Sequence, residues 1–246
     1  MNVEEAQLIL QSNLICQHQF LHHMNTFKLS GSQVRRFGIQ WYKAATAHKR
    51  AFPGLIYNTI HDVVRFDLVH ILRDEYGNGD VASIHAFMLL RFLNSLGYSE
   101  GDIAEFSTLP EIMEFSRRVD DIWLRQNPVK AFGVHYSLEV LAAKMHQSFG
   151  RGLRTAAGSA EFDLEYFNYH GVAEIEHADI SDRGLLIYGE HAENRALLTE
   201  GLEEGKDLIC LLWDGLDKHV FGSDAESKEL RGMQVGFASP VEAHAN

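Results

Sequence analysis

Proline is scarce in this chain, and that scarcity limits the possible folds more than any other feature. Only four prolines occur in 246 residues, at positions 53, 110, 128 and 240. Between them, apolar residues recur at intervals of three and four, the spacing that places side chains on one face of an α-helix. Sustained alternation of apolar and polar residues, which would indicate β-strands, is missing. The sequence therefore predicts an all-α fold.

Glycine, proline and capping residues divide the chain into predicted helices. These helices span residues 3–27, 33–52, 55–75, 80–96, 110–126, 130–149, 160–178 and 190–220, with a short helical piece after residue 101. No internal repeat or change in composition separates these segments, so residues 1–222 are predicted to form one compact helical bundle. Residues 223–246 contain few large apolar side chains and are predicted to form a flexible tail.

Composition and charge exclude several classes of partner. The formal net charge is -12, which disfavours nucleic acid because binding to phosphates relies on clustered lysine and arginine. No apolar run approaches the roughly 18 residues of a membrane span, and the acidic amino terminus does not resemble a signal peptide. Cys16 and Cys210 lie in helical apolar patterns, which suits a reducing compartment. We therefore expect a cytoplasmic protein that binds neither membranes nor nucleic acid.

A short polar pattern near position 170 predicts a metal site. His170, Glu174 and His177 are spaced i, i+4, i+7, so on a helix their side chains project within about 60° of one another. Two imidazoles and a carboxylate on one face can converge on a single ion. The alternative is a solvated polar face near a helix end, and further ligands would be needed to decide between the two.

Three other residues are candidates for those ligands. Glu139 lies in an apolar helical segment, where a buried carboxylate is costly unless a cation compensates it. Glu75 ends a predicted helix, where an acid opposes the helix dipole. His85 lies among apolar neighbours and needs a hydrogen-bond partner or a metal. Each also has an ordinary structural explanation: an amphipathic polar stripe, a solvated helix terminus and a core histidine bonded to a carbonyl.

Together these six residues, with their order and the Gly77 and Gly79 pair, resemble the heme-oxygenase-like diiron oxidases and oxygenases. The resemblance covers about residues 50–180 and implies a seven-helix fold. It also implies that two iron ions, cycling between Fe(II) and Fe(III), are held by Glu75, His85, Glu139, His170, Glu174 and His177. Glu139 would bridge the ions and act in catalysis, with O2 as co-substrate.

The same resemblance implies an enzyme that acts on an amino acid or a fatty acid, with a possible external reductant. N-oxygenating members carry an additional glutamate, for which only Asp62 and Asp67 could stand in. C–H abstraction, desaturation or oxidative C–C cleavage is therefore expected instead. The chlamydial branch, which consumes its own tyrosine, is matched only in part by Tyr166 and Lys144. An arginine is expected to hold the substrate carboxylate, and the unranked candidates are Arg65, Arg73, Arg91 and Arg154.

Three alternatives remain open at the level of sequence. A ferritin-like diiron bundle would pair Glu174-x2-His177 with Asp67-x2-His70. The chain could instead be a metal-free or heme-binding relative, and a heme enzyme would use His18, His22 or His23 as the proximal ligand. Finally, a binding protein could use the same scaffold without catalysis. A homodimer is also possible through an apolar stripe that otherwise completes the core. That stripe comprises Leu208, Ile209, Leu211, Leu212 and Trp213.

Overall fold

The computed structural model describes residues 1–11 and 17–222, which are helical apart from their turns and contain no β-strand. The described residues form more than the seven helices expected. In chain order they are α1 (Val3–Leu10), α2 (Gln19–Thr26), α3 (Gly31–Ala47), α4 (Phe52–Asn58), α5 (Asp62–Glu75), α6 (His85–Ser95), α7 (Glu100–Glu105), α8 (Pro110–Arg125), α9 (Pro128–Thr155), α10 (Glu165–Gly189) and α11 (Ala192–Phe221). Short 3-10 turns occupy His48–Arg50, Gly77–Gly79, Val81–Ser83 and Ser159–Glu161.

Two of the predicted helices are divided in the structure, which accounts for part of the higher number. The segment predicted as one helix at 3–27 forms α1 and α2, separated by a stretch that includes residues outside the described part. The helix predicted at 55–75 is interrupted at Thr59, whose extended backbone ends α4. The Thr59 hydroxyl donates to the Leu55 carbonyl oxygen at 2.8 Å. Such side-chain bonds compete with helix propagation.

Prolines mark the starts of helices rather than their interiors. Pro53, Pro110 and Pro128 each occupy the first turn of a helix, where the missing N–H is not needed. Pro53 was expected to end a helix, but it begins α4. The Asn127 side chain accepts a hydrogen bond from the Val129 amide at 2.9 Å and caps α9, as preferred at this position.

Helix α9 is the central element, because it packs along both α10 and α11. Two glycines allow the close approach of α9 and α11. A Cβ atom added at Gly133 would lie 2.8 Å from the Leu198 carbonyl oxygen and 3.0 Å from the Gly201 Cα. Helices α5 and α6 pack against α10 from another side. The long helices thus form a rigid frame to which the shorter α5 and α6 are attached.

The apolar stripe of α11 is used inside the chain. Leu208, Ile209, Leu212 and Trp213 are all buried. Leu211 is half-buried. The stripe therefore completes the core, as the alternative interpretation expected, and a homodimer stays a prediction.

A left-handed turn connects α5 to the segment before α6. Gly77, Asn78 and Gly79 have φ values of 77°, 53° and 100°, a region that glycine tolerates and that other residues adopt only with strain. A Cβ at Gly77 would also lie 2.8 Å from the Ile84 backbone nitrogen. This turn lets the chain reverse within ten residues, which brings Glu75 and His85 together.

None of the helices in the described part of the chain reaches the length and apolarity of a bilayer-crossing segment. Cys210 is half-buried and not in a disulfide, whereas Cys16 lies outside the described residues. Residues 223–246 also lie outside the described part, so the flexible tail stays a prediction.

Candidate metal centre

The structure brings the six predicted ligands together from four helices. Glu75 ends α5 and His85 begins α6, whereas Glu139 lies near the middle of α9. The remaining three, His170, Glu174 and His177, lie on one face of α10 and are all buried. The helical spacing read from the sequence therefore gives a converging set of side chains, and not a solvated polar face.

Two groups of ligand atoms lie close enough to hold a metal ion. One atom each from Glu75, His85 and His170 lie within 4.8 Å of one another, and the same holds for Glu75, Glu174 and His177. Glu75 is common to both groups. Mixed carboxylate and imidazole donors suit iron in both of its usual oxidation states.

Glu139 borders the second group and completes it. Its Oε2 atom lies 3.4 Å from Nδ1 of His177, and its Oε1 atom lies 3.4 Å from Nδ1 of His135. Glu139 Oε2 and His177 Nδ1 are buried and have no hydrogen-bond partner among the described residues. Buried polar atoms are normally satisfied, so this facing pair fits a site that receives a metal ion. A bridging role for Glu139 stays a prediction.

Hydrogen bonds orient two of the histidines for metal binding. His170 Nδ1 lies 2.8 Å from the Tyr166 carbonyl oxygen, so Nδ1 carries the proton and Nε2 keeps its lone pair. His177 Nε2 lies 3.1 Å from Oδ2 of Asp74, so Nδ1 faces Glu139 and Glu174 and can bind a metal once it has released its proton. Imidazoles that bind metals usually donate their second N–H in this way.

Asp74 was not among the predicted site residues, although it is buried at the centre. Its Oδ1 atom accepts hydrogen bonds from the Tyr169 hydroxyl and the Asn78 side-chain amide, both at 2.5 Å. The sequence carried one signal that could have identified it: two consecutive acids, Asp74 and Glu75, end a helix where the dipole disfavours negative charge.

The carboxylates at the centre are divided between charged and neutral states in the absence of metal. Burial acts to raise the pKa of Glu75, but the Lys49 ammonium and His85 hold this pKa well below its ordinary value. Burial raises the pKa of Glu174 to about 8. Burial also acts to lower the pKa of His177, yet the carboxylates of Asp74, Glu139 and Glu174 raise it far above its ordinary value. A cation would relieve the unfavourable burial of Glu174.

A cavity of about 80 Å³ opens beside the candidate ligands. Its wall combines apolar side chains with a few polar groups, as the walls of small-molecule sites do. Glu75, Glu139, His170 and Glu174 contribute to the wall. The apolar part includes Trp41, Phe115, Leu138, Met145, Ile209 and Leu212. The prediction that helices carrying Glu139 and His170 line this cavity agrees with the structure.

Two further polar residues of the cavity wall were missed as site residues. Lys49 follows α3 and forms an ion pair with Glu75, and nothing in its local sequence distinguishes it from a surface lysine. His146 lies on the same polar stripe of α9 as Glu139. It is buried, with its ring centroid 4.7 Å from that of His170, and burial lowers its pKa to about 3. The sequence offered one signal for His146: it lies one helical turn after Ala142 and two turns after Glu139, on the same face of the helix.

The arginines proposed to hold a substrate carboxylate do not line this cavity. Arg65 pairs with Asp62, Arg91 pairs with Asp163 and Glu165, and Arg154 donates to Asn168. Arg73 is exposed on α5. That expectation was wrong because Arg65, Arg91 and Arg154 bind other polar groups, as the surplus of acidic residues favours, and Arg73 is exposed.

Other candidates lie away from the centre. Asp67 is bound by Arg183, Asp62 pairs with Arg65, and His70 is exposed. In the described structure, the centre therefore lacks Asp67 and His70, the second half of the ferritin-like motif. It also lacks Asp62 and Asp67 as replacements for the additional glutamate of N-oxygenating enzymes. Tyr166 stacks on His170 with ring centroids 3.9 Å apart, whereas Lys144 is exposed.

The early histidines considered as heme ligands lie beside α11. His18 Nε2 is 3.3 Å from Oδ1 of Asp214, and His23 Nδ1 is 2.7 Å from Oδ1 of Asp217. His22 lies on α2, the helix that also carries His23. Both aspartate partners provide an ordinary structural role for these imidazoles.

The sequence of this chain matches one protein family and is similar to two named proteins. A family model described as iron-containing redox enzyme matches residues 35–208, a range that includes all six candidate ligands. The chain is 24% identical over 220 residues to 4-aminobenzoate synthase of Chlamydia pneumoniae, covering 86% of this chain and 91% of that protein. It is 19% identical over 227 residues to 4-aminobenzoate synthase of Nitrosomonas europaea, covering 88% and 91%.

Solved structures share the fold. A CADD-like protein of unknown function from Nostoc punctiforme superposes with a TM-score of 0.71 and 16% identity, covering 87% of this chain and 96% of that one. A domain of unknown function with a heme oxygenase-like fold from Shewanella denitrificans gives 0.65 and 17%, covering 96% and 94%. At these identities the likeness establishes the heme-oxygenase-like fold alone.

Proposed function

Since the chain belongs to the iron-containing redox enzyme family, we propose that it is an O2-dependent non-heme diiron oxidase or oxygenase. Its substrate is a small molecule that carries a carboxylate. An external reductant supplies any electrons that the substrate does not. The reaction is C–H abstraction, desaturation or oxidative C–C cleavage.

One observation carries the proposal: two groups of three ligand atoms share Glu75 in the interior of the bundle. A single ion would need only one group. Two groups joined by a shared carboxylate match the requirement of a two-metal centre for ligands that can bridge. The buried Oε2 atom of Glu139 and Nδ1 atom of His177, which face each other at 3.4 Å, support the same arrangement.

Each side chain has a distinct task in this proposal. Glu75, His85 and His170 would hold one iron, and Glu174 and His177 would hold the other together with Glu75 or Glu139. When bound, the irons supply activation of O2 for removal of a substrate hydrogen. Asp74 accepts the N–H of His177, and the Tyr166 carbonyl accepts that of His170. These bonds fix the tautomers that present a lone pair to the metal.

The cavity supports the substrate class. Its apolar wall suits contact with an aromatic ring or an alkyl chain. The two similar proteins named 4-aminobenzoate synthase have names that denote an aromatic carboxylate. The proposed substrate is therefore an aromatic or aliphatic carboxylate, amino acids and fatty acids included.

Anaerobic loading with Fe(II) followed by mixing with O2 tests the proposal. Iron per chain is measured first, and O2 consumption is then followed with a panel of aromatic carboxylates, amino acids and fatty acids. We expect two irons per chain and faster O2 consumption with at least one class. The absorption spectrum after incubation with heme serves as a parallel test, since a Soret band would favour the heme-binding alternative.

Glu139→Ala provides the variant for this experiment, and Glu200→Ala is its control because Glu200 is exposed on α11. We expect Glu139→Ala to bind fewer than two irons and to lose substrate-stimulated O2 consumption, with Glu200→Ala unchanged. Wild-type protein that binds no iron would contradict the proposed function. Two irons in Glu139→Ala would contradict the bridging role alone.

A further inference from the structure

Lys49 is the only lysine or arginine that lines the cavity within the described part of the chain. Its side chain is 18% exposed and forms an ion pair with Oε2 of Glu75. That same oxygen lies 2.9 Å from Nδ1 of His85. The lysine therefore connects the cavity wall to a residue present in both groups of candidate ligands.

The charges at the centre change when metal is bound. Four carboxylates surround the site, contributed by Asp74, Glu75, Glu139 and Glu174. Two divalent ions would balance these four negative charges, with neutral imidazoles as ligands. The ammonium of Lys49 would then remain as a positive charge without a compensating anion. Even a half-buried charge of this kind is unfavourable unless it is paired.

The position of this charge within the cavity is also informative. Trp41, Ala44 and Ala45 on α3 line the wall near Lys49 in the chain, and Leu138 and Ala142 on α9 line it beside Glu139. An apolar body with one anionic end would match such a wall, because its body would contact these side chains while its charge met the ammonium. A neutral or cationic ligand would leave the lysine unpaired.

We propose that Lys49 is the residue that binds the substrate carboxylate, exchanging its partner from Glu75 to the substrate when metal occupies the centre. This inference rests on the proposed function. It makes Lys49 a specificity-determining residue and predicts that recognition of carboxylates depends on metal loading. In the metal-free protein, Glu75 competes for the ammonium and the selectivity is lost.

Binding of a matched pair of probes tests this inference without turnover. The full-length chain is loaded anaerobically with Mn(II), the metal content is measured, and benzoate and benzamide are titrated by calorimetry. The two probes have similar size and differ in charge. We expect the loaded wild type to prefer benzoate by about tenfold or more, as for a hydrogen bond to a charged group. The metal-free protein should show no preference.

Lys49→Met removes the charge and keeps the length of the side chain, and Lys49→Arg keeps the charge. We expect Lys49→Met to bind Mn(II) yet lose the preference for benzoate, and Lys49→Arg to retain it. Lys144→Met is the control, because Lys144 is exposed on α9 and should leave the preference intact. Circular dichroism verifies that each variant is folded. The comparison of benzoate with benzamide on the wild type does not depend on any variant.

The outcomes distinguish this inference from the proposed function. Equal affinities in the Mn(II)-loaded wild type, or a preference that persists in Lys49→Met, would overturn the role of Lys49 while leaving the metal centre intact. Persistence would mean that the metal itself binds the carboxylate. Wild-type protein that takes up no metal would contradict the proposed function and, with it, this inference.

Discussion

The candidate ligands on α10 differ from those on α5 and α6 in how their positions are fixed. His170, Glu174 and His177 share one continuous helix that packs along α9, so the helical period alone sets their relative positions. Glu75 and His85 belong to two helices and face each other across a left-handed turn at Gly77–Gly79. The first set is held by local backbone geometry, and the second depends on a loop.

This difference indicates which half of the centre is more easily disturbed. Local opening is easiest where backbone is exposed and buried apolar contacts are few. The segment from Tyr76 to Ser83 is largely exposed, whereas His170 and His177 lie in the interior. We therefore expect the α10 ligands to retain their arrangement without metal, and the α5 and α6 ligands to depend more on metal and on their hydrogen bonds.

The largest expected effect is the loss of a ligand from the rigid set. Glu174→Ala should reduce bound iron from two per chain to one or none and lower O2 consumption by about a hundredfold or more, since removal of groups at the reacting centre commonly has effects of this size. Iron analysis and oxygen electrode measurements provide the test. Glu176→Ala is the matched control, because Glu176 lies on the same helix but is exposed. Equal losses in both variants would contradict the assignment.

A smaller effect is expected from Asp74, which joins the two regions by accepting the N–H of His177 from the end of α5. Asp74→Asn should weaken iron binding by about ten- to a hundredfold, as for other residues that orient metal ligands. A competitive titration with a chelator measures the affinity. Asp121→Asn on α8 serves as the control, since Asp121 pairs only with neighbouring surface groups. Unchanged affinity in Asp74→Asn would show that His177 is oriented without it.

Metal binding should also depend on pH. Because burial raises the pKa of Glu174 to about 8, this carboxyl is mostly protonated at pH 7 and must release its proton to bind a metal. The ligand His177 also carries a proton that it must release, since its pKa is raised far above the ordinary value. Affinity should therefore increase with pH by about a hundredfold per unit below pH 8, where Glu174 and His177 each release a proton, and by about tenfold per unit above it. Titrations with Mn(II) at pH 6, 7, 8 and 9 measure the slope. A slope that does not change near pH 8 would indicate that Glu174 is already ionised.

The same raised pKa predicts the opposite trend for the metal-free fold. A carboxyl with a higher pKa in the folded state contributes stability that is fully present below its unfolded pKa and is lost as pH rises toward 8. Thermal unfolding of the metal-free protein across this range should show a falling contribution from Glu174. Glu174→Gln, which cannot ionise, should remove this part of the pH dependence.

The smallest expected effect concerns the turn itself. Asn78 donates to Asp74 and adopts a φ of 53°. Asn78→Gly keeps this conformation and removes the hydrogen bond, so iron binding should weaken by about threefold, consistent with one hydrogen bond. Asn78→Ala should lose the same bond and also destabilise the fold through backbone strain. Equal thermal stability in the two variants would contradict the strain argument.

Part of this centre could be predicted from the sequence for physical reasons. The His170, Glu174 and His177 pattern follows from helix geometry, and a carboxylate such as Glu139 in an apolar helix signals an energetic cost that requires compensation. Asp74 carries only a weaker signal, as one of two consecutive acids at a helix end, and Lys49 carries none. Asp74 matters because α5 packs against α10, and Lys49 matters because the turn after α3 reaches Glu75. Neither contact has a local signature.

Helix boundaries could also be predicted only in part from the sequence. The prolines and the Gly77–Gly79 turn marked real boundaries, but the interruption at Thr59 was missed because its side-chain bond to Leu55 forms only in context. The arginine expectation was wrong for a related reason, since charge alone does not reveal which cation faces a cavity. The apolar stripe of α11 likewise gave no indication of whether it faces the core or another chain.

By itself, the sequence determined that this chain is helical and that one helix carries three converging metal-ligand side chains, because both properties depend on local periodicity. The tertiary structure decided which acids join them, which histidine nitrogens remain available, and that Lys49 is the cation of the cavity wall. These features depend on distances between residues far apart in the chain, which only the packing of α3, α5, α9 and α10 sets.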